Sequence, residues 1–374
     1  MTAPQRWAWV DVDLDAIASN VASVRDLVAP SQVWAVVKAN GYGHGAVPVA
    51  TAALLGGAHG LAVALAGEGV ELRRAGIDAP VLVLSEQPDD SAAALVEHQL
   101  IPTVYSTGGV EALVAAGAAG LDVHVKVDTG MQRVGVQPEL LADVVAAVRD
   151  AAPALRLGGV FTHLPIADEP DDPFTADQLR RFDDLHTGLD LDDDVLVHSA
   201  NSAGALAHPA ARHDLVRLGI AMYGIAPSAE LAEQTAALTT PALSLRSRVS
   251  FVKRVAVGSR ISYGLRHRFD RPTTVATLPI GYADGVPRRR FEVGGSVLIG
   301  GRRRPIVGVV TMDQLMVSCG DDDVALGDEA VLIGRQGDEH ITAEEWGASL
   351  GTIGYEIVCG IGARVPRVYH RNPE

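Results

Sequence analysis

One pattern recurs eight times between Val33 and Gly224: a short β-branched apolar run, then an Ala-rich segment with helical spacing. The strand candidates are VWAVVK (33–38), GLAVA (60–64), PVLVLS (80–85), IPTVYS (101–106), DVHVKVD (122–128), RLGGVFTH (156–163), VLVHSAN (195–201) and LVRLGIAMYG (215–224). Runs that are apolar throughout, rather than alternating, belong to strands covered on both faces, and strands separated by helices pair in parallel. Eight such units predict an α/β fold, an N-terminal (β/α)8 TIM-like barrel somewhat shorter than the usual roughly 250 residues. An open doubly wound sheet is the alternative, although it more often carries five or six strands. Active sites of barrels lie at the C-terminal ends of the strands, which here carry Lys38, Ser85, Ser106, Lys126 with Asp128, His163, the run from His198 to Ser202, and Arg217.

After Ala237 the Ala-rich texture stops. Short alternating runs such as TVATLPIGYAD, GSVLIGG and EAVLIGRQG, split by GG and GD turns, predict a mainly-β domain. The expected domains are therefore 12–237, a barrel, and 238–374, a β domain to which an N-terminal strand at 6–11 pairs. The basic runs at 288–290 and 302–304 read as solvated hairpin charge. With 31 basic against 46 acidic residues the chain carries a net charge of −15, which repels phosphate backbones and anionic lipid, so no nucleic acid and no membrane is expected as a partner. There is no apolar run of membrane-spanning length and no charged leader before an apolar core, which points to the cytoplasm. Cys319 and Cys359, both in apolar stretches, read as core thiols rather than a disulfide or a metal site.

The densest chemical signal is AVVKANGYGHGA (35–46), a lysine ending an apolar strand and followed by a Gly-rich turn with Tyr42 and His44. Burial disfavours the ammonium form, which suits an amine that forms a Schiff base. HSANSAG (198–204) and RLGIAMYG (217–224) end the last two barrel strands, where barrels often hold a phosphate. A lysine and a phosphate cradle on one rim suggest pyridoxal phosphate as cofactor and no metal. VKVDTGMQRVGV (125–136), ISYGLR (261–266), TMDQ (311–314) and IGYEIVC (353–359) complete the set.

With these motifs in this order over nearly its whole length, the chain resembles the bacterial alanine racemases, pyridoxal-phosphate enzymes with a barrel and a β domain. The resemblance implies a homodimer with composite sites that interconverts L- and D-alanine and supplies D-alanine for peptidoglycan. It implies that Lys38 holds the cofactor and serves as one acid–base group, with Tyr263 of a second subunit as the other. His163 would contact that tyrosine, backed by Arg217, which also meets the pyridine nitrogen. Tyr42, Asn201, Ser202, Gly219, Ile220 and Tyr355 fall at or beside phosphate ligands. Arg133, Met312 and Asp313 fall at the substrate carboxylate, and Lys126 aligns with a lysine carbamylated in many relatives. Gln132, Pro165 and Val309 depart from the family pattern near the site or its access route, touching rate and side-chain selectivity. Other readings on the same fold are a racemase of serine or a broader amino-acid set, or a decarboxylase, which Arg217 and Tyr263 argue against. A non-catalytic pyridoxal-phosphate binding protein would leave the β domain without a role.

Overall fold

The computed structural model describes residues 6–371. The chain divides into two units at Asp15/Ala16 and at Pro241/Ala242. It stays with the middle unit as far as Thr240 because Asn20 clamps it: the Thr240 N–H donates to Asn20 Oδ1 (2.8 Å), and Asn20 Nδ2 donates to the carbonyls of Thr240 and Met222 (2.8 and 2.9 Å).

After the strand β1 (Ala8–Asp13), which belongs to the other unit, eight strands form one parallel sheet. They are β2 (Gln32–Val36), β3 (Gly60–Val63), β4 (Val81–Val83), β5 (Ile101–Val104), β6 (Leu121–Lys126), β7 (Leu155–Phe161), β8 (Leu196–His198) and β9 (Leu215–Leu218). Their order is β8-β7-β6-β5-β4-β3-β2-β9. All four residues of β3 and of β9 are buried, as strands covered by helices outside and side chains inside must be.

The two end strands β8 and β9 share no ladder, yet the Asp214 N–H donates to the Val197 carbonyl (3.1 Å) and the Arg217 N–H to that of Ala200 (3.0 Å). The Val197 N–H in turn donates to Asp214 Oδ2 (2.7 Å). These bonds bring the sheet round to a near-closed barrel, the expected fold, and exclude the open doubly wound alternative. Packing inside the barrel is tight. Trp34 of β2 faces Gly60 of the adjacent β3, where any Cβ would meet the indole at 2.7 Å.

The second unit is mainly β. Its strands are β10 (Leu243–Arg248), β11 (Phe251–Val255), β12 (Arg260–Ile261), β13 (His267–Arg268), β14 (Thr273–Leu278), β15 (Ser296–Ile299), β16 (Arg302–Pro305), β17 (Leu315–Gly320), β18 (Glu329–Gln336), β19 (Glu339–Ile341) and β20 (Arg367–His370). A large sheet runs β16-β15-β18-β10-β1-β20, with β19 on β18, and a smaller one runs β11-β14-β17. β1 pairs antiparallel with β10, Ala8 opposite Ser247, and parallel with β20.

Two expectations fail in this unit. Arg290 is not solvated hairpin charge but buried: it donates to Ser349 Oγ (3.0 Å), and its guanidinium lies 4.5 Å from the Trp346 ring centre. A planar cation with a long apolar stem can be enclosed when an aromatic face takes the place of water. Cys359 is exposed, because it closes the short helix Gly354–Cys359, whose inner positions are Ile357 and Val358; Cys319 is buried as expected.

Candidate active site

In the barrel unit the chain leaves β2 through Val37 into Lys38, which is half-buried rather than enclosed. The reason is that the strand proper ends at Val36, two residues short of the lysine. Beyond Lys38 the backbone makes a left-handed turn, with φ of +52°, +53°, +59°, +50° and +80° from Ala39 to Gly43. Left-handed backbone costs an ordinary residue about 1–2 kcal/mol, so it persists only where the surroundings dictate it. The Ala39 N–H donates to Glu68 Oε1 (2.6 Å) and the Ala46 N–H to Asn40 Oδ1 (2.9 Å). The Tyr42 ring is held against Tyr223 at 5.0 Å, and the Tyr223 hydroxyl donates to the Val36 carbonyl (3.0 Å). The turn thereby faces Tyr42 toward the end of β9.

At that strand end, Gly219 approaches the same tyrosine. A Cβ on Gly219 would lie 2.9 Å from the Tyr42 hydroxyl and 3.7 Å from Ser202 Oγ. Ser202 Oγ accepts from the N–H groups of Gly219 (2.9 Å) and Ala221 (3.3 Å). Ile220 heads the 3-10 turn Ile220–Tyr223, and the leading N–H of such a turn has no acceptor within it. Hydroxyls and backbone N–H groups converging on a spot that only glycine leaves open form a cradle for a multiply charged oxyanion. Asn201 serves the cradle indirectly. Its Oδ1 caps the helix Ser202–Ala207 at the Gly204 N–H (2.9 Å), and its Nδ2 donates to the Leu164 carbonyl (3.1 Å).

Inside the barrel, Arg217 is buried and held through both Nη atoms. Its guanidinium donates to His198 Nδ1 (2.6 Å), to the carbonyls of Thr162 and Ser199 (2.8 Å each) and, at 3.4 Å, to His163 Nδ1. Burial lowers its pKa to about 9, which still leaves it protonated at neutral pH. Arginine only donates, so both Nδ1 atoms are acceptors and each imidazole carries its proton on Nε2. His198 Nε2 then donates to His124 Nδ1 (2.9 Å), which gives a one-directional chain from Arg217 through His198 to His124. Phe161 stacks on His198 with centres 4.6 Å apart and also faces the Arg217 guanidinium (5.1 Å) and the Lys126 ammonium (5.6 Å).

The charge at this mouth is one-sided. Burial first, then Arg217 and Arg133, lower the Lys126 ammonium to about 8, opposed by Asp128. His163 is held well below the ordinary imidazole range by burial and by Arg217, Lys126, Arg133 and Lys38 in that order. Four cations therefore share one neighbourhood, and the carboxylate of Asp128 is engaged with the Gly130 and Gln132 N–H groups (2.9 and 3.1 Å). Gln132 takes φ +57°, a conformation glycine adopts without strain, which accounts physically for the glycine that the family pattern carries at this position. Pro165 is exposed.

Among the expected site residues of the β unit, Tyr263 is 72% exposed and Met312 52%. Ser262, at φ +65°, anchors the Tyr263 turn by donating from Oγ to the Val309 carbonyl (2.7 Å). Val309 is thus a buried support within its unit. Asp313 pairs with Arg364 (2.7 Å), and Tyr355 is half-buried in the helix Gly354–Cys359.

Sequence reading passed over His124 and Thr162, which complete the Arg217 network. A histidine two residues before Lys126 on an apolar strand was the available signal, since that spacing puts both on one face. The network has a consequence in acid. His124, at about 4, and His198, also well below its ordinary range, stay neutral in the fold, mainly because they are buried. The unfolded chain takes up these protons near pH 6.5, so stability is full above that pH and falls as pH drops toward 4, by roughly 3 kcal/mol for His124. Urea midpoints of the holoenzyme at pH 7.5 and 5 are expected to differ accordingly, and His124→Gln to reduce the difference. Equal slopes in both proteins would refute the assignment.

Comparison with known proteins gives matches over both units. Residues 12–227 match the family described as "Alanine racemase, N-terminal domain" and residues 242–369 the one described as "Alanine racemase, C-terminal domain". The chain is 47% identical to the alanine racemase of Symbiobacterium thermophilum, over 97% of each chain. It is 42% identical to that of Geobacillus kaustophilus, over 98% of this chain and 95% of the relative. Among solved structures, the alanine racemase of Bacillus anthracis with bound L-Ala-P superposes with a TM-score of 0.92 at 41% identity, covering 99% of this chain and 97% of the other.

Proposed function

The chain belongs to the alanine racemase family, and on that premise we propose that it interconverts L- and D-alanine with pyridoxal phosphate, as a cytoplasmic homodimer that supplies D-alanine for peptidoglycan. The observation that carries this reading is the pairing, on one barrel rim, of the oxyanion cradle at Tyr42, Ser202 and Gly219 with the cations Lys38, Lys126, Arg133 and Arg217. Those residues fit the cofactor: neutral donors for its phosphate, a lysine for its aldehyde carbon, and an obligate donor for its ring nitrogen. When bound, pyridoxal phosphate supplies an electron sink that makes the substrate Cα–H acidic.

Each side chain then has a defined task. Tyr42, Ser202 and the N–H group of Ile220 hold the phosphate, Gly219, whose own N–H donates to Ser202 Oγ, leaves room for it, and Asn201 orients Ser202. Tyr355 joins them by the resemblance alone. Arg217 faces the ring nitrogen and, staying protonated, keeps that nitrogen from being protonated. Lys38 moves a proton at Cα on one face. Tyr263 of a second subunit moves one on the other face, and inversion needs both. His163, neutral with its N–H on Nε2, is suited to donate to that tyrosine's oxygen and so to favour the phenolate. Arg133 grips the substrate carboxylate, joined by the Met312 N–H, and Asp313 steadies the Met312 turn through Arg364. An N-carboxylate on Lys126 would place a negative charge among these cations, and an amine titrating near 8 is available to form one.

The dimer is supported by the β unit's surface. A groove of about 740 Å³, lined by Phe251, Ile261, Tyr263, Thr311 and Met316, carries Phe251 at 56% exposure beside Tyr263. Lys253, Ser262, Thr277 and Gln314 also line this groove, so it is mixed in character, and exposed aromatic side chains such as Phe251 and Tyr263 are enriched at interaction sites. No described helix is long and apolar enough to cross a membrane.

Incubation of the purified holoenzyme with L-alanine in deuterated water is expected to give D-alanine and Cα deuterium in both enantiomers. Neither product nor exchange from cofactor-loaded protein would overturn the reading, and faster turnover of L-serine would replace the substrate.

A further inference from the structure

Away from the rim that holds Lys38, at the N-terminal ends of the barrel strands, three side chains meet that the proposed racemisation does not use. Asp183 and His186 lie on successive turns of the helix Phe174–Thr187, and His213 lies in the segment that feeds β9. Asp183 Oδ1 is 3.3 Å from His186 Nε2 and 3.8 Å from His213 Nε2, and the three ligand atoms all lie within 4.8 Å of one another.

From this geometry we infer a three-residue binding site for a zinc-class divalent ion, formed by Asp183, His186 and His213. A tetrahedral ion with bonds of about 2.0–2.1 Å needs ligand atoms roughly 3.3 Å apart, so small side-chain shifts complete three corners. Water takes the fourth, on the side where the Asp183 side chain is 50% exposed. Two imidazole nitrogens with one carboxylate oxygen select zinc-like ions over calcium or magnesium, which take oxygen.

The imidazoles are held in place for such a role. Phe182 is fully buried and meets both rings, at 5.2 Å for His186 and 5.6 Å, edge-on, for His213. His213 adopts φ +40°, fixed by a hydrogen bond from Ser31 Oγ to its carbonyl (2.6 Å). Its Nε2 is enclosed and makes no hydrogen bond, the 3.8 Å to Asp183 being too long for one.

The position explains what the ion would do. His213 directly precedes Asp214, whose N–H and carboxylate make two of the bonds that span the β8/β9 seam. An ion here would tie the helix Phe174–Thr187, which leads into β8, to the segment that leads into β9, clipping the barrel where its ladder is missing.

The test titrates chelator-treated holoenzyme with Co²⁺ and then Zn²⁺. One Co²⁺ per chain with tetrahedral d–d absorption, displaced by one Zn²⁺, is expected. At a hundredfold excess over Kd, zinc should raise Tm by roughly 5 °C. Because His213 is enclosed and left-handed, its replacement risks misfolding. Asp183→Asn and His186→Gln, on the helix surface, are therefore the variants, expected to weaken Co²⁺ binding at least about tenfold and to abolish the Tm shift with racemisation unchanged. The proposal is overturned if wild type gives no d–d band, or if band and shift persist in the double variant.

Discussion

Replacing Tyr263 by phenylalanine is expected to lower racemisation of L-alanine by about 10³-fold or more, with no loss of stability. The phenol is 72% exposed, and within the described residues its hydroxyl makes no hydrogen bond, so removal of one oxygen leaves the unit's packing untouched. The turn that presents it does not depend on that oxygen either. Ser262 donates to Val309, the Leu265 N–H donates to the Ser262 carbonyl (3.0 Å), and a Cβ on Gly308 would press on Ser262 Cβ at 2.6 Å. In the proposed mechanism the variant loses the group that carries a proton on one face of Cα. Deuterium exchange resolves the two faces: exchange from L-alanine should collapse while exchange from D-alanine, served by Lys38, persists. Wild-type exchange from L-alanine in the variant would remove Tyr263 from the mechanism.

Arg217→Ala should destabilise the holoenzyme by about 3–5 kcal/mol as well as abolish turnover. The truncation strands the carbonyls of Thr162 and Ser199 and the Nδ1 of His198 inside the barrel, each a buried acceptor whose donor has gone. It also leaves a void beside Phe161, whose face the guanidinium covers at 5.1 Å. Arg217→Lys keeps a charge but not the planar fork that reaches four acceptors, so it should recover only part of the stability. Urea unfolding of the three proteins measures this. A wild-type midpoint for Arg217→Ala would mean that the barrel interior relaxes around the loss and that the hydrogen-bond set contributes little.

The eight barrel strands were legible because a parallel strand enclosed on both faces is apolar and β-branched along most of its length, whereas the segments between them are Ala-rich with helical spacing. Lys126 and Arg217 were legible for a related reason, since a charged group on such a strand is too expensive to bury without a purpose, whereas the half-buried Lys38 stood out by the Gly-rich turn that follows it and His163 by its place at a strand tip. His124 was not legible as a site residue. It sits within a strand, and its partner His198 is 74 residues away, so only closure of the barrel makes the two adjacent. Asn201 illustrates the opposite case, a polar residue beside the cradle whose side chain the local backbone claims as a helix cap.

Arg290 and Cys359 show the same division from the β unit. A run of three arginines carries no sign of which one will lie over Trp346, and an apolar neighbourhood in sequence does not decide which helix face a thiol takes. By itself, then, the amino-acid order determined what is set over short stretches: the kinds of elements, their count, the glycine turns, and which residues end at a strand tip. The tertiary structure decided what depends on distance through space. It brought β9 round to β8, pointed the Arg217 donors at two histidines and so set their tautomers, and gathered Asp183, His186 and His213 at one corner. Local preference acts over a few residues, whereas proton positions and charge states depend on partners tens of residues away that only the closed barrel brings together.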